Sequence, residues 1–312
     1  MASLRSDYVP WYTQLYLTKV ALVILVMALA VAANKMDTNL NQAGCGKLGP
    51  KGRIHHGKPT SKANIPWIVQ VYGIFDLSSN HGSSCAGSII TRNLILTAAH
   101  CLFHNGAFAL KAMVVYKSHL FQNGKAFEAE KMMVHPKYVN KYEMVYDIAL
   151  LKLAVDLKFN RLVKPVCLPT AKMDLAGKTL VVAGWGRTES ADGSKTLLHA
   201  KVVALPDDQC RARLPRLPHP FMGRRVRPGP AICAAGKNQG ACDGDSGGPL
   251  TLRNDDGRTL QVGVVSFGPT CPTTSPTVYA RVSIHIKWIR RALNCPRKWR
   301  KLHYTRQEVT LG

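Results

Sequence analysis

The sequence predicts an all-β protein that ends in an α-helix. Short runs rich in β-branched and aromatic residues alternate with Gly, Asn, Asp and Pro, as in strands joined by turns. These runs include 67–75 (WIVQVYGIF), 88–98 (SIITRNLILTA), 179–185 (TLVVAGW) and 261–267 (QVGVVSF). Such a rhythm is typical of a β-sandwich or β-barrel. One segment departs from it, because Ile286, Ile289 and Leu293 recur at helical spacing.

Composition indicates a globular protein from an oxidising compartment. The 312 residues are 46% hydrophobic and 19% charged, which allows one large core or two smaller ones. Nine cysteines are spread along the chain without the compact spacing of a zinc site, so we predict disulfides, no metal site and no cofactor. A formal net charge of +24 predicts attraction to anionic surfaces.

Residues 1–33 have the pattern of a secretory signal peptide. An apolar run from Val20 to Ala33 follows Lys19 and ends in small residues. The run is shorter than the roughly 20 residues that span a bilayer. The alternative is a signal anchor, in which Leu15 and Leu17 lengthen the apolar segment. The length favours a secreted, extracellular protein.

Three motifs carry the residues of a nucleophilic site. His100 lies in 97–101 (TAAHC) after an apolar strand, Asp147 opens 147–151 (DIALL), and Ser246 lies in the glycine-rich 244–249 (GDSGGP). Each motif alone is an ordinary structural feature. Together, in the order His, Asp and Ser, they indicate a serine nucleophile with a histidine base, because a serine hydroxyl is a weak nucleophile at neutral pH.

In these motifs the chain resembles the chymotrypsin family of serine proteases, from Arg53 to about Leu293. The other matching segments are 85–90 (CAGSII), 165–169 (PVCLP), 184–188 (GWGRT) and 265–268 (VSFG). The resemblance implies a secreted serine endopeptidase with two six-stranded antiparallel β-barrels, a C-terminal α-helix and an active site at the barrel junction. The implied protease domain covers 54–294, with barrels at about 54–170 and 171–283 and a basic tail at 295–312.

The resemblance also assigns roles to the three motifs. His100 takes the proton of Ser246 and later protonates the leaving amine, while Asp147 orients the imidazole and stabilises its charged form. The backbone N–H groups of Gly244 and Ser246 form the oxyanion hole. Ser266 matches the serine that hydrogen-bonds the aspartate.

A zymogen is implied by the basic residue and isoleucine at Arg53–Ile54. Residues 34–53 are then a propeptide, and an activating trypsin-like protease cleaves after Arg53. The new ammonium group of Ile54 is expected to pair with Asp245 in the interior, because an unpaired buried carboxylate is unfavourable. The chain departs from the usual Ile-Val-Gly-Gly, with His55 and His56 after Ile54.

Four disulfides follow from the resemblance, and a fifth family bridge is replaced by Leu180 and Leu252. Cys295 is left over and is either free or paired with a partner. The implied pairs are Cys45–Cys167, Cys85–Cys101, Cys210–Cys233 and Cys242–Cys271.

The implied specificity pocket contains Gly240 at its floor together with Ser266, Gly268 and Thr277. A pocket without a carboxylate leaves the charge of a substrate Arg or Lys unpaired. Thr277 narrows the pocket. We therefore predict cleavage after small to medium apolar residues.

Positive charge is concentrated in two regions without acidic residues. These cations either bind sulfated glycans or anionic surfaces, or they only form a solvated basic surface. The two regions are Arg211, Arg213, Arg216, Arg224, Arg225, Arg227 and Lys237, and Lys287, Arg290, Arg291, Arg297, Lys298, Arg300, Lys301 and Arg306.

We expect no nucleic-acid partner, because no binding motif accompanies the charge. Expected partners are protein or peptide substrates, the activating protease and protein inhibitors. The alternative function is a basic heparin-binding or antimicrobial effector on a protease scaffold.

Overall fold

The structure is a computed structural model in which every described residue belongs to one unit, Asn39–Gly312. The predicted signal peptide and the Arg53–Ile54 bond lie outside the described residues. For 308–311 only the backbone is described. The described residues are 40–48, 59–78, 82–104, 106–138, 146–188, 191–213, 231–237, 239–268, 275–295, 298–302 and 308–311.

Six strands of the first half close into an antiparallel barrel. The ring runs β1-β2-β3-β8-β7-β6 and closes because β7 pairs with both β6 and β8. Its strands are rich in Val, Ile, Leu and Ala, whose branched or small side chains fill the barrel interior. The strands of this half are β1 (Ile68–Ile74), β2 (Gly82–Ile89), β3 (Leu94–Thr97), β4 (Phe103–His104), β5 (Ala107–Phe108), β6 (Lys111–Tyr116), β7 (Gly124–Val134) and β8 (Ala149–Leu153).

A second closed antiparallel barrel follows, in the order β10-β11-β14-β13-β12-β9. Leu180 is fully buried in its core, and Leu252 packs against the same cluster. The two leucines thus fill the space that the sequence analysis assigned to an absent disulfide. Its strands are β9 (Thr179–Gly184), β10 (Leu198–Ala204), β11 (Ala231–Ala235), β12 (Pro249–Arg253), β13 (Thr259–Phe267) and β14 (Thr277–Arg281).

Two α-helices accompany the barrels in the described part of the chain: α1 (Asp207–Arg213) and α2 (Val282–Asn294). Helix α2 buries Ile286, Ile289 and Leu293, as their spacing predicts. Neither helix has the length and apolar character of a membrane span. The predicted fold, two six-stranded antiparallel barrels and a C-terminal helix, is confirmed.

The basic tail folds back on the first barrel. Strands β15 (Arg300–Lys301) and β16 (Glu308–Leu311) both pair antiparallel with β7. Trp299 is buried and donates its indole N–H to the Ala292 carbonyl of α2 at 2.9 Å. Leu302 is buried as well, so Trp299 and Leu302 act as apolar anchors beside exposed cations such as Arg300 and Lys301.

Predicted disulfides are present wherever the structure describes both cysteines. The pairs Cys45–Cys167, Cys85–Cys101 and Cys210–Cys233 are present. Cys242 is also disulfide-bonded, and its predicted partner Cys271 lies outside the described residues. Cys295 is exposed and free.

Candidate active site

The three candidate catalytic residues come from both barrels. His100 lies in a single 3-10 turn, Ala99–Cys101, just after β3. Asp147 directly precedes Ile148 and β8 in the same barrel. Ser246 lies in the turn before β12 of the second barrel. His100 and Asp147 thus come from the first barrel and Ser246 from the second.

His100 and Asp147 form a tight hydrogen-bonded pair. The distance from His100 Nδ1 to Asp147 Oδ2 is 2.7 Å, and the His100 backbone N–H donates to Oδ1 at 2.9 Å. Ser266 Oγ donates to Oδ2 at 2.6 Å. Asp147 is fully buried, so these bonds replace its contacts with water. An acceptor at Nδ1 favours the tautomer that leaves Nε2 available as a base.

Main-chain hydrogen bonds hold the Ser246 turn against the first barrel. The Ala86 N–H donates to the Ser246 carbonyl at 2.7 Å, and the Gly247 N–H donates to Val265 at 2.8 Å. Gly247 has φ +79°, and a Cβ at this position would overlap Thr97 Oγ1 and the Ala86 carbonyl. Glycine is required here because the turn lies directly on the segment that leads to His100.

Two N–H groups of this turn remain available. Within the described part of the chain, the backbone N–H groups of Asp245, Gly247 and Gly248 donate hydrogen bonds, whereas those of Gly244 and Ser246 have no protein acceptor. Gly244 has φ +92°, a conformation that favours glycine. The two free donors are those that the sequence analysis placed in an oxyanion hole.

Asp245 is a buried carboxylate in a cradle of glycines. Its oxygens accept the backbone N–H groups of Gly186 at 2.8 Å and Cys242 at 2.9 Å. A Cβ at Gly184 would overlap its Oδ1. Burial raises the pKa of Asp245 to about 6, against the opposing effect of the two N–H bonds. Among the described residues no cation forms an ion pair with it.

The candidate specificity residues lie together. A Cβ added to Gly268 would be 3.1 Å from Thr277 Oγ1, and one added to Gly240 would be 3.7 Å from the same atom. The Thr277 hydroxyl therefore lies between the two glycines. Ser266 is next to this group, but its hydroxyl is bound to Asp147.

Sequence reasoning missed the function of the Gly184–Gly186 segment, which was only a matching motif. The structure shows that its glycines make room for Asp245. The signal was present as Gly-Trp-Gly, but its partner lies 59 residues further along the chain. Potential metal ligands within the described residues are Cys85, His100 and Cys101, of which both sulfurs are tied in one disulfide.

Two β-barrels with a His–Asp pair and a serine on a glycine-rich turn define a serine endopeptidase of the chymotrypsin type. A family model described as Trypsin matches residues 54–289, and the chain belongs to this family. The resemblance found in the sequence is thereby confirmed.

Several curated proteins are similar to this chain. The clotting factor G beta subunit of Tachypleus tridentatus is 32% identical, over 82% of this chain and 84% of its own. Serine proteinase stubble of Drosophila melanogaster is 35% identical over 77% of this chain and 31% of its own. Melanization protease 1 of the same species is 32% identical over 76% and 64%. The chain therefore spans only part of the length of these last two relatives.

A solved collagenase structure has the same fold. It superposes with a TM-score of 0.65, covers 77% of this chain and 99% of its own, and is 24% identical. At that identity the likeness concerns the fold alone.

Proposed function

We propose that the protein is a secreted serine endopeptidase that is made as a zymogen and activated by cleavage between Arg53 and Ile54. The observation that carries the proposal is the buried Asp245 carboxylate in its glycine cradle, without a cation among the described residues. A buried charge needs a partner. The ammonium group released at Ile54 is the partner that cleavage provides.

The path of the chain makes this pairing feasible. Pro59 pairs with Leu198 of β10, Leu198 pairs with Gly184 of β9, and Gly184 abuts the Asp245 carboxylate. Adjacent strands lie about 4.8 Å apart, so Pro59 is roughly 10 Å from Gly184. Residues 54–58 reach up to about 17 Å when extended. The segment 54–58 is therefore long enough for a freed Ile54 amine to reach Asp245.

The propeptide is expected to stay attached after cleavage. Cys45 is bonded to Cys167. The Asn41 side chain donates to the Leu168 carbonyl at 2.8 Å and accepts its N–H at 2.7 Å. These contacts lie on the far side of the scissile bond from Ile54, so they survive its hydrolysis.

For catalysis we propose that Ser246 attacks the substrate carbonyl while His100 Nε2 takes its proton. The N–H groups of Gly244 and Ser246 stabilise the oxyanion, and Asp147 stabilises the imidazolium. His100 then donates the proton to the leaving amine. Labelling of Ser246 by a serine-directed phosphonate after cleavage at Arg53, but not before, tests the whole proposal.

Substrate preference gives a separate prediction. Thr277 narrows a neutral pocket between Gly240 and Gly268, so we expect cleavage after Ala, Val or Leu. The variant Gly240→Asp should shift preference toward Arg and Lys by roughly tenfold or more, because it supplies a buried partner for their charge. A peptide library profiled with the activated enzyme measures this shift. A wild-type preference for Arg would contradict the pocket assignment.

Anionic partners are a second proposal, supported by exposed cations on α2 and the tail. The sequence from 282 to 307 contains no acidic residue. The proposed ligand is a sulfated glycan or a similar anionic surface. The cations on Arg216, Arg224, Arg225, Arg227, Arg297 and Arg306 lie outside the described residues. The exposed cations of this region are Lys287, Arg290, Arg291, Lys298, Arg300 and Lys301.

A matched pair of triple variants tests this surface. Changing Lys287, Arg290 and Arg291 to Gln should lower the salt concentration of elution from heparin clearly more than changing the scattered exposed residues Lys158, Lys172 and Lys178, which removes the same charge. Hydrolysis of a small peptide should stay unchanged in both variants. If both variants elute from heparin at the same salt concentration, net charge alone explains the binding and the proposed surface is contradicted. Retained heparin binding without any peptidase activity in the wild type would favour the alternative, a basic effector protein.

A further inference from the structure

One residue holds both neighbours of Asp147. The His135 backbone N–H donates to the Ile148 carbonyl at 3.1 Å, which extends the ladder between β7 and β8. The imidazole ring of His135 stacks on the phenol ring of Tyr146, with ring centroids 4.8 Å apart and an interplanar angle of 14°. His135 thus contacts the chain directly before and directly after the proposed catalytic carboxylate.

Helix α2 contributes two further rings to the pair formed by His135 and Tyr146. His285 of α2 lies edge-on to His135 with ring centroids 5.1 Å apart, and the Trp288 ring lies 4.9 Å away. His285 also contacts the Tyr146 ring at 5.8 Å. His135 and His285 are 8% and 1% exposed. The rings therefore form a packed cluster that leaves Tyr146 little freedom to move.

The hydrogen bonding of His135 requires a neutral ring. Its Nδ1 accepts the Lys137 backbone N–H at 3.2 Å, which a protonated nitrogen cannot do. Burial, together with the nearby positive charges of His285 and Lys137, lowers the pKa of His135 to about 4. The Lys137 ammonium also lies 5.7 Å from the Tyr146 ring centroid. Tyr146, which directly precedes Asp147, and His285 are the titratable rings that face His135.

We propose that His135 is a positioning residue that keeps Asp147 in register with His100 by holding Tyr146 and Ile148. This inference rests on the proposed role of Asp147. The carboxylate makes its three short bonds to His100 and Ser266 only while its backbone stays in place. A displacement of about 1 Å can lower a rate by about 100-fold. Loss of the ring stack should therefore lower kcat.

The test separates the ring stack from the hydrogen bond. His135→Asn keeps an oxygen acceptor for the Lys137 N–H but removes the ring, whereas His135→Phe keeps the ring and removes the acceptor. In the activated enzyme we expect kcat to fall between about 10- and 100-fold in His135→Asn, with KM changed less than threefold. His135→Phe should lose less than about fivefold. The exposed His104→Asn is the matched control and should behave as wild type.

The pH profile distinguishes positioning from general destabilisation. A displaced carboxylate stabilises the His100 imidazolium less, so the acid limb of kcat/KM should move to lower pH in His135→Asn. Rates are expressed per site labelled to completion by the phosphonate, which counts only folded enzyme. Tyr146→Leu removes the other half of the stack and should reproduce the loss of kcat.

Two outcomes are decisive. If His135→Asn and Tyr146→Leu both keep wild-type kcat and the wild-type acid limb per labelled site, His135 does not position Asp147. Failure of the proposed function looks different, because an activated wild-type enzyme would then hydrolyse no peptide and take up no label.

Discussion

Replacing Ser246 by alanine is expected to lower kcat of the activated enzyme by on the order of 10⁶-fold. The variant keeps the His100–Asp147 pair and the free N–H groups of the turn, but it has no atom that can form the acyl bond. Asp147→Asn should lose less, on the order of 10⁴-fold, because the imidazole remains but its tautomer is no longer enforced. Hydrolysis of a peptide with Ala or Val before the scissile bond measures both.

The control for these variants is Ser78→Ala, which removes an exposed hydroxyl that is bonded only to Asp76 among the described residues. It should keep wild-type activity. All three variants should show a similar KM for the same peptide, because none of them alters Gly240, Gly268 or Thr277. Wild-type turnover in Ser246→Ala would contradict the assignment of the nucleophile.

Much of this architecture could be predicted from the sequence, because local pattern and local chemistry agree. The runs around β1, β3, β9 and β13 are short, β-branched and bounded by turn residues. Helix α2 shows its buried side by spacing alone. The turn that carries Ser246 is also local, since the glycines at 244 and 247 adopt positive φ within one loop.

The fate of the tail could not be predicted in the same way. The positive charge of residues 295–312 suggests a solvated segment, whereas β16 pairs with residues about 180 positions earlier in the chain. Such pairing depends on which parts of β7 keep one side unpaired within the barrel, and no local pattern encodes that. Trp299 and Leu302 were the visible sign, as two large apolar residues in a basic segment.

The ring cluster behind Asp147 was hidden for a similar reason. His135, Tyr146 and His285 come from three separate segments, and each would pass as an isolated surface or core residue. Only the fold brings the three rings within 6 Å of one another. Tyr146 connects this cluster to Asp147, the next residue in the chain.

Activation gives the second large effect. The variant Arg53→Gln should remain a folded precursor that a trypsin-like activator cannot switch on, with hydrolysis roughly 10³-fold or more below the cleaved enzyme, because the oxyanion hole is not held in place. Asp245→Asn should be cleaved normally and yet stay inactive, since the amide cannot pair with the Ile54 ammonium. N-terminal sequencing confirms cleavage, and peptide hydrolysis reports activity.

The pH dependence of stability tests the same carboxylate without any enzyme assay. In the uncleaved chain the pKa of Asp245 is raised from 3.8 to about 6, so the native state binds a proton that the unfolded chain releases. The free energy of unfolding should therefore fall as pH rises from about 4 to about 6, by about 3 kcal/mol in total, and stay lower above that window. Below pH 4 both states are protonated and the effect vanishes.

Urea unfolding of Arg53→Gln and of Arg53→Gln with Asp245→Asn, measured from pH 4 to pH 8, isolates this contribution. The double variant should lack the decline between pH 4 and pH 6, because its amide does not titrate. In cleaved wild-type enzyme the decline should also disappear, since the Ile54 ammonium stabilises the ionised carboxylate and holds its pKa down. If the free energy of unfolding depends on pH in the same way in all three proteins, burial does not raise the pKa of Asp245 before cleavage, and Asp245 does not pair with the new amine after it.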